Sequence, residues 1–230
     1  MEYRFPKDDL IALGISMLKL VGEFIPYNSQ LPINIYRIFN WAMMILNTIL
    51  LLANLPKADS YVYVQIIGFA VLFAHGLLRY ICFVYYKSEI YGLLNDMEQF
   101  WNINQIKNIH KIAKKEYVFF MKAPTILIAL GVVCIISFSF KPLAAKDGLI
   151  FPARVVVEFV GFQATLLFSQ YYGLLIVATV VAGYDIIYIC YSAHVITQIR
   201  MLKYKFEHIT ADISIETIYN YIRHHQFMLK

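Results

Sequence analysis

The side chains whose types could do chemistry in this chain are six histidines, a few isolated charges, and a set of amides and aromatics. His75, His110, His194, His208, His224 and His225 never recur at the i, i+3 or i, i+4 spacing that puts metal ligands on one helix face. The adjacent pair in YIRHHQFMLK, His224 and His225, would point about 100° apart on a helix, so the two rings cannot share one ion without distortion. No phosphate loop, nucleophile elbow or paired carboxylate cluster occurs in an apolar run. The chain therefore reads as a non-enzyme, with no catalytic residue, metal site or cofactor expected.

The chemistry left is binding. Aromatic and apolar surface with a few orienting polar groups suits a small, weakly polar molecule. Gln65, Phe69, Ser137, Phe138, Gln163, Gln170, Tyr171 and Leu174 supply that mixture, and the competing reading of the same residues is packing between helices. Arg79 and Asp185 are charges within or beside apolar runs, where charge is expensive and often functional. Arg79 lies eight residues before Lys87 and is expected to snorkel inward rather than enter a buried ion pair. Asp185 either pairs with it or caps a lysine near the inner surface.

The elements that must position these residues follow from composition. Hydrophobic residues make up 60% of the chain and charged ones 15%, far from the roughly 45–50% and 25% of a soluble domain. Four uncharged runs, 38–56, 60–78, 123–140 and 159–184, match the roughly 20 apolar residues that a helix needs to cross a bilayer. The expected fold class is all-α, a multi-span membrane protein forming a single domain, with transmembrane helices over 36–56, 61–86, 117–140 and 159–199. Lys and Arg gather at 4–37, 87–122 and 200–230, against Lys57, Lys141, Lys146 and Arg154 on the other side. That bias predicts a cytoplasmic N-terminus. It also accounts for the net charge of +5 through basic inner loops facing anionic lipid, with no nucleic acid required.

Outside the spans, Leu10, Leu13, Met17, Leu20 and Val21 recur at helical spacing before Gly22 and Pro26, predicting an amphipathic helix over 10–22 at the inner membrane surface. Cys82, Cys134 and Cys190 all sit in or beside spans, so no disulfide framework is expected. The inner connection carries a stripe of Ile90, Leu93, Leu94, Met97, Phe100 and Trp101, either a membrane-surface helix or a packing face for other cytoplasmic helices. The fourth run is too long for the bilayer, reaching about 39 Å, and continues past Asp185 toward cytoplasmic helices over 200–230. In the last of these, Asp212 or Ser214 can cap a helix with Ile215, Ile218, Ile222 and Leu229 on one face.

The order of these features resembles the insect odorant receptor family. The resemblance lies in the N-terminal LVGEFIP, in the over-long fourth helix, SQYYGLLIVATVVAGYDIIYICYSAHVITQI, where Asp185 is followed after nine residues by His194, and in the His pair opening YIRHHQFMLK. The N-terminal match departs from the family in carrying Phe24 and an extra residue where a tryptophan is usual. The resemblance implies a subunit of a ligand-gated, non-selective cation channel in the plasma membrane of olfactory neurons. Such a subunit takes small volatile hydrophobic ligands and assembles as a tetramer with a co-receptor. Arg79, Asp185 and His194 are expected to be structural or gating residues. The family has seven membrane helices and four are expected here, so the chain reads as an N-terminal fragment without the pore. A gustatory-type chemoreceptor of the same architecture and a transporter fragment are the alternatives.

Overall fold

The computed structural model describes residues 9–23, 30–58, 60–101, 109–144, 149–150, 160–210 and 212–229. Among them every regular element is helical. α1 spans Asp9–Leu20, α2 Gln30–Leu52, α3 Ser60–Tyr85, α4 Lys87–Asp96, α5 Ile109–Ala144, α6 Val160–Glu207 and α7 Ile215–Met228, with short 3-10 turns at Leu55–Lys57 and Met97–Gln99. Three of these helices contain segments long and apolar enough to cross a membrane: Ile33–Leu52, Ser60–Tyr85 and Ala164–Glu207. The fourth expected span falls inside α5, whose described apolar stretch, Lys122–Phe138, is shorter. α5 remains one helix through Pro124, so that proline does not produce the broken helix that a transporter reading would use.

α6 is the axis of the molecule. Its 48 residues reach about 72 Å, and α1, α2, α3, α5 and α7 all pack on it. The core joins Ile11, Ile15 and Leu18 of α1, Met44 and Leu51 of α2, Phe73, Tyr80 and Phe83 of α3, and Val177, Val180, Ile186 and Cys190 of α6. The outer faces remain apolar, with Ile38, Ile49, Val64, Val71, Ile126 and Leu130 exposed. Hydrocarbon would cover such a surface without penalty.

The N-terminal helix departs from expectation. Of the predicted face, Val21 is buried and Leu10 and Met17 pack on the core, but Leu13 and Leu20 are 40% and 68% exposed, and α1 buries Ile11, Ile15 and Leu18 in their place. Steric fit decides the face. Gly14 and Gly183 let the α1 and α6 backbones meet: a Cβ on Gly183 would lie 2.9 Å from Leu18 Cγ and 3.1 Å from the Gly14 carbonyl oxygen. α1 therefore docks on α6 instead of resting on a membrane surface alone.

Gly22 then ends α1 in the left-handed region, φ +91, with Glu23 N–H donating to Leu18 O and Gly22 N–H to Lys19 O. Pro26 and Phe24 lie outside the described residues. The carbonyls freed at this terminus are capped from other helices. Val21 O accepts from Asn40 Nδ2 at 3.1 Å and from the Tyr80 hydroxyl at 2.9 Å, and Gly22 O accepts from Arg37 Nε at 2.8 Å. Glu23, fully buried, faces two cations. Arg37 Nη2 and Lys87 Nζ donate to its Oε2 at 3.2 and 3.3 Å. Its Oε1 lies 2.9 Å from Arg37 Nε, whose hydrogen points at Gly22 O, so that oxygen is held by charge without an in-line donor.

The Ile90 to Trp101 stripe is a packing face. Leu94 and Met97 are buried, and Ile90 and Phe100 pack on the core. α7 is capped by Ser214, whose Oγ accepts from Thr217 N–H at 3.2 Å. Its buried side corrects the expected one: Ile215 and Leu229 are 73% and 76% exposed, and Ile222 is also exposed. His224 is buried instead, stacked on Trp101 with ring centroids 3.7 Å apart. A flat stack with an indole that is itself anchored between helices orients α7 more strongly than an aliphatic stripe does.

Candidate functional site

α3, α4 and α6 border a half-open apolar cavity of about 260 Å³, with Tyr188 and Leu93 exposed at its mouth. Helical periodicity builds each wall. Tyr184, Ile187, Tyr188 and Tyr191 recur at three- and four-residue spacing along α6, Ile90, Leu93 and Leu94 form one side of α4, and Phe83 closes the α3 side. Ile187 also abuts Gly14, so α1 backs this wall.

The ion pair of Arg79 with Asp185 lies one helical turn from Phe83 on α3 and beside Tyr184 on α6. Both side chains are about three-quarters buried, and the Arg79 guanidinium carbon lies 5.4 Å from the Tyr184 ring centroid. The expectation that Arg79 snorkels inward is thus corrected. A carboxylate faces it from α6, and leaving either charge unpaired in a half-buried setting costs far more than pairing them. His194 is half-buried on α6, about 14 Å further along the helix than Asp185, and does not line the cavity.

None of the eight candidate ligand residues lines this cavity. The structure does bring some of them together. Phe69 of α3 and Phe138 of α5 meet edge to face, centroids 5.2 Å apart, and Leu174 and Tyr171 of α6 belong to the same core. Gln170 is buried with its Oε1 accepting from Ile150 N–H at 2.9 Å, so its amide holds the segment before α6. Gln65 is half-buried on α3. Ser137 is exposed and donates to Val133 O of its own helix at 2.8 Å, away from this group. The Gln163 side chain lies outside the described residues.

The tyrosines at 184, 188 and 191 escaped the sequence reading although their spacing is visible there. The missing signal was their partner, since α4 supplies the opposite wall only after the chain turns at Tyr86. A second feature was also missed. Asn40 and Asn47 of α2 and Asn54, just past its end, recur every seven residues, and all are buried. Asn40 Oδ1 accepts from the Tyr172 hydroxyl at 2.7 Å, and Asn47 Nδ2 donates to Ser169 O at 3.1 Å, fixing α2 against α6.

Family models and curated proteins contain no match to this chain. An aromatic, apolar cavity lined by three tyrosines, with an ion pair beside it, offers a weakly polar molecule a largely apolar surface and a few polar groups nearby.

Proposed function

We propose that this chain is an odorant receptor subunit of the insect type, binding small, weakly polar volatile molecules within its helix bundle. The observation that carries the reading is the aromatic cavity between α3, α4 and α6, with the Arg79–Asp185 pair at its edge. At about 260 Å³ it lies just below the range of ligand sites, roughly 300 to 1,000 Å³, which suits a small molecule. Supporting it are the resemblance through Asp185 and His194 and the length of α6, which allows one helix to leave the membrane and carry α7. In this reading the N-terminus is cytoplasmic, α5 supplies a fourth span, the chain lies in the plasma membrane, and a co-receptor completes a cation channel.

The chain reconstituted in lipid nanodiscs tests the binding step. An apolar fluorescent probe should bind saturably and be displaced by volatile esters or aromatic alcohols. Leu94→Trp, which fills the cavity, should abolish displacement, whereas Leu130→Trp on the exposed face of α5 should not. Equal displacement in wild type and Leu94→Trp would remove the cavity from the reading. Co-expression with a co-receptor, followed by recording of ligand-evoked cation current, tests the channel step separately.

A further inference from the structure

Where α6 nears its end, Trp101 is clamped between it and α7. Gln198 holds the Trp101 backbone from both sides, its Oε1 accepting from Trp101 N–H and its Nε2 donating to Trp101 O, each at 2.9 Å. The same Oε1 lies 3.2 Å from His224 Nε2. On the indole, His224 stacks 15° from parallel, and the Lys205 ammonium sits 3.5 Å from the ring centroid and 5.2 Å from that of Tyr221. These contacts fix the ammonium on a rigid aromatic platform. It borders a cavity of about 500 Å³, to which Arg223, Thr217, Asn220 and Gln99 add a guanidinium, a hydroxyl and two amides.

Among the described residues, no carboxylate lines this cavity, and neither Lys205 nor Arg223 forms an ion pair. The nearby Lys203–Glu207 pair, 3.7 Å apart, lies on the exposed side of α6. The half-buried ammonium rests on ring faces and the exposed Arg223 guanidinium lies on the rim, so both charges are open to an anion entering the depression. Two cations with several neutral donors exceed what one carboxylate can engage, while a phosphate presents three acceptor oxygens to them. The volume leaves room for the body of an ester.

We infer that the Lys205–Arg223 cavity binds a phosphate-bearing anion. Phosphate chemistry is shared by membrane headgroups and soluble esters, and position favours the soluble source. Lys205 lies twenty residues beyond Asp185 on one continuous helix, about 30 Å, too far for a headgroup if Asp185 marks the inner interface. That placement rests on the proposed topology; the anion site itself does not.

The test is titration of the whole chain in neutral-lipid nanodiscs with fluorescent inositol hexakisphosphate, with inorganic phosphate as competitor and vesicles carrying phosphatidylinositol 4,5-bisphosphate as a parallel arm. The soluble ester should bind saturably and weaken with salt. Lys205→Gln and Arg223→Gln should each reduce affinity about tenfold or more. Lys205→Arg should retain it within a few fold, which separates lost charge from lost folding, and Lys203→Gln should leave it unchanged. Equal losses in Lys203→Gln and Lys205→Gln would reduce the effect to general surface charge and overturn the site. Binding to the vesicles alone would overturn the soluble source, and binding to neither would overturn the inference.

Discussion

Glu23 is the residue on which the junction of α1, α2 and α4 depends most directly. Fully buried, it is, among the described residues, the carboxylate that pairs with both Arg37 of α2 and Lys87 at the start of α4. Glu23→Ala leaves two partly buried cations facing each other, and removing one partner of a buried pair costs about 3–5 kcal/mol. The flanking cations are about a quarter exposed, so the lower end applies, and thermal unfolding in detergent should show it. Lys87→Met, which removes one cation and keeps the Arg37 contact, should be much milder. His224 sets a pH dependence. Burial first, then the Lys205 ammonium and His225, holds its pKa below the ordinary 6.5. The folded state therefore takes up its proton less readily than the unfolded one. Docking of α7 should be at full strength above about pH 6.5 and weaken as the pH falls below it. The emission of Trp101, in a Trp41→Phe background that leaves it the sole tryptophan, reports this. His224→Phe keeps a ring on the indole and should flatten the profile; an unchanged slope would assign the effect to another group.

At the scale of elements, two devices set how helices meet. Small residues let α1 approach α6, and a Cβ at Gly183 meets both a side chain and the Gly14 carbonyl. Gly183→Ala should destabilise by about 1–3 kcal/mol through overpacking. Gly183→Val should release α1 altogether, read as faster amide hydrogen exchange over Asp9–Leu20 than in wild type. Amides align α2. Asn47 bonds to Ser169 across the interface and to Met43 on its own helix. Its replacement by Leu should cost about 1 kcal/mol, the usual scale of a polar contact between membrane helices. Local rules made part of this visible in advance: Gly22 as a stop, Ser214 as a cap, and the 90 to 101 stripe as an apolar face. They did not reveal which side of α1 or α7 would be covered, because both helices carry apolar residues on more than one side.

At the scale of the whole molecule, the number of crossings turns on α5. Cys134 lies exposed on the apolar stretch of α5. If α5 spans the bilayer, Cys134 should resist a charged maleimide in intact vesicles of a Cys82→Ser variant and react once the protein is denatured, because a thiol in hydrocarbon neither ionises nor meets the reagent. Rapid labelling in intact vesicles would remove the fourth span. Composition and charge gaps by themselves determined that the described residues are helical, that three of the four stretches are apolar and long enough to cross a membrane, and where α1 stops and α7 starts. Those properties arise from neighbours within a turn or two. Only the tertiary structure decided that Arg79 pairs with Asp185, that Glu23 is clamped by two cations, and that Tyr184, Tyr188 and Tyr191 face α4 across a cavity. The partners in each case lie far apart in the chain. In helices that are apolar on nearly every side, periodicity cannot choose among the faces, and the choice falls to backbone approach and to the pairing of buried polar groups.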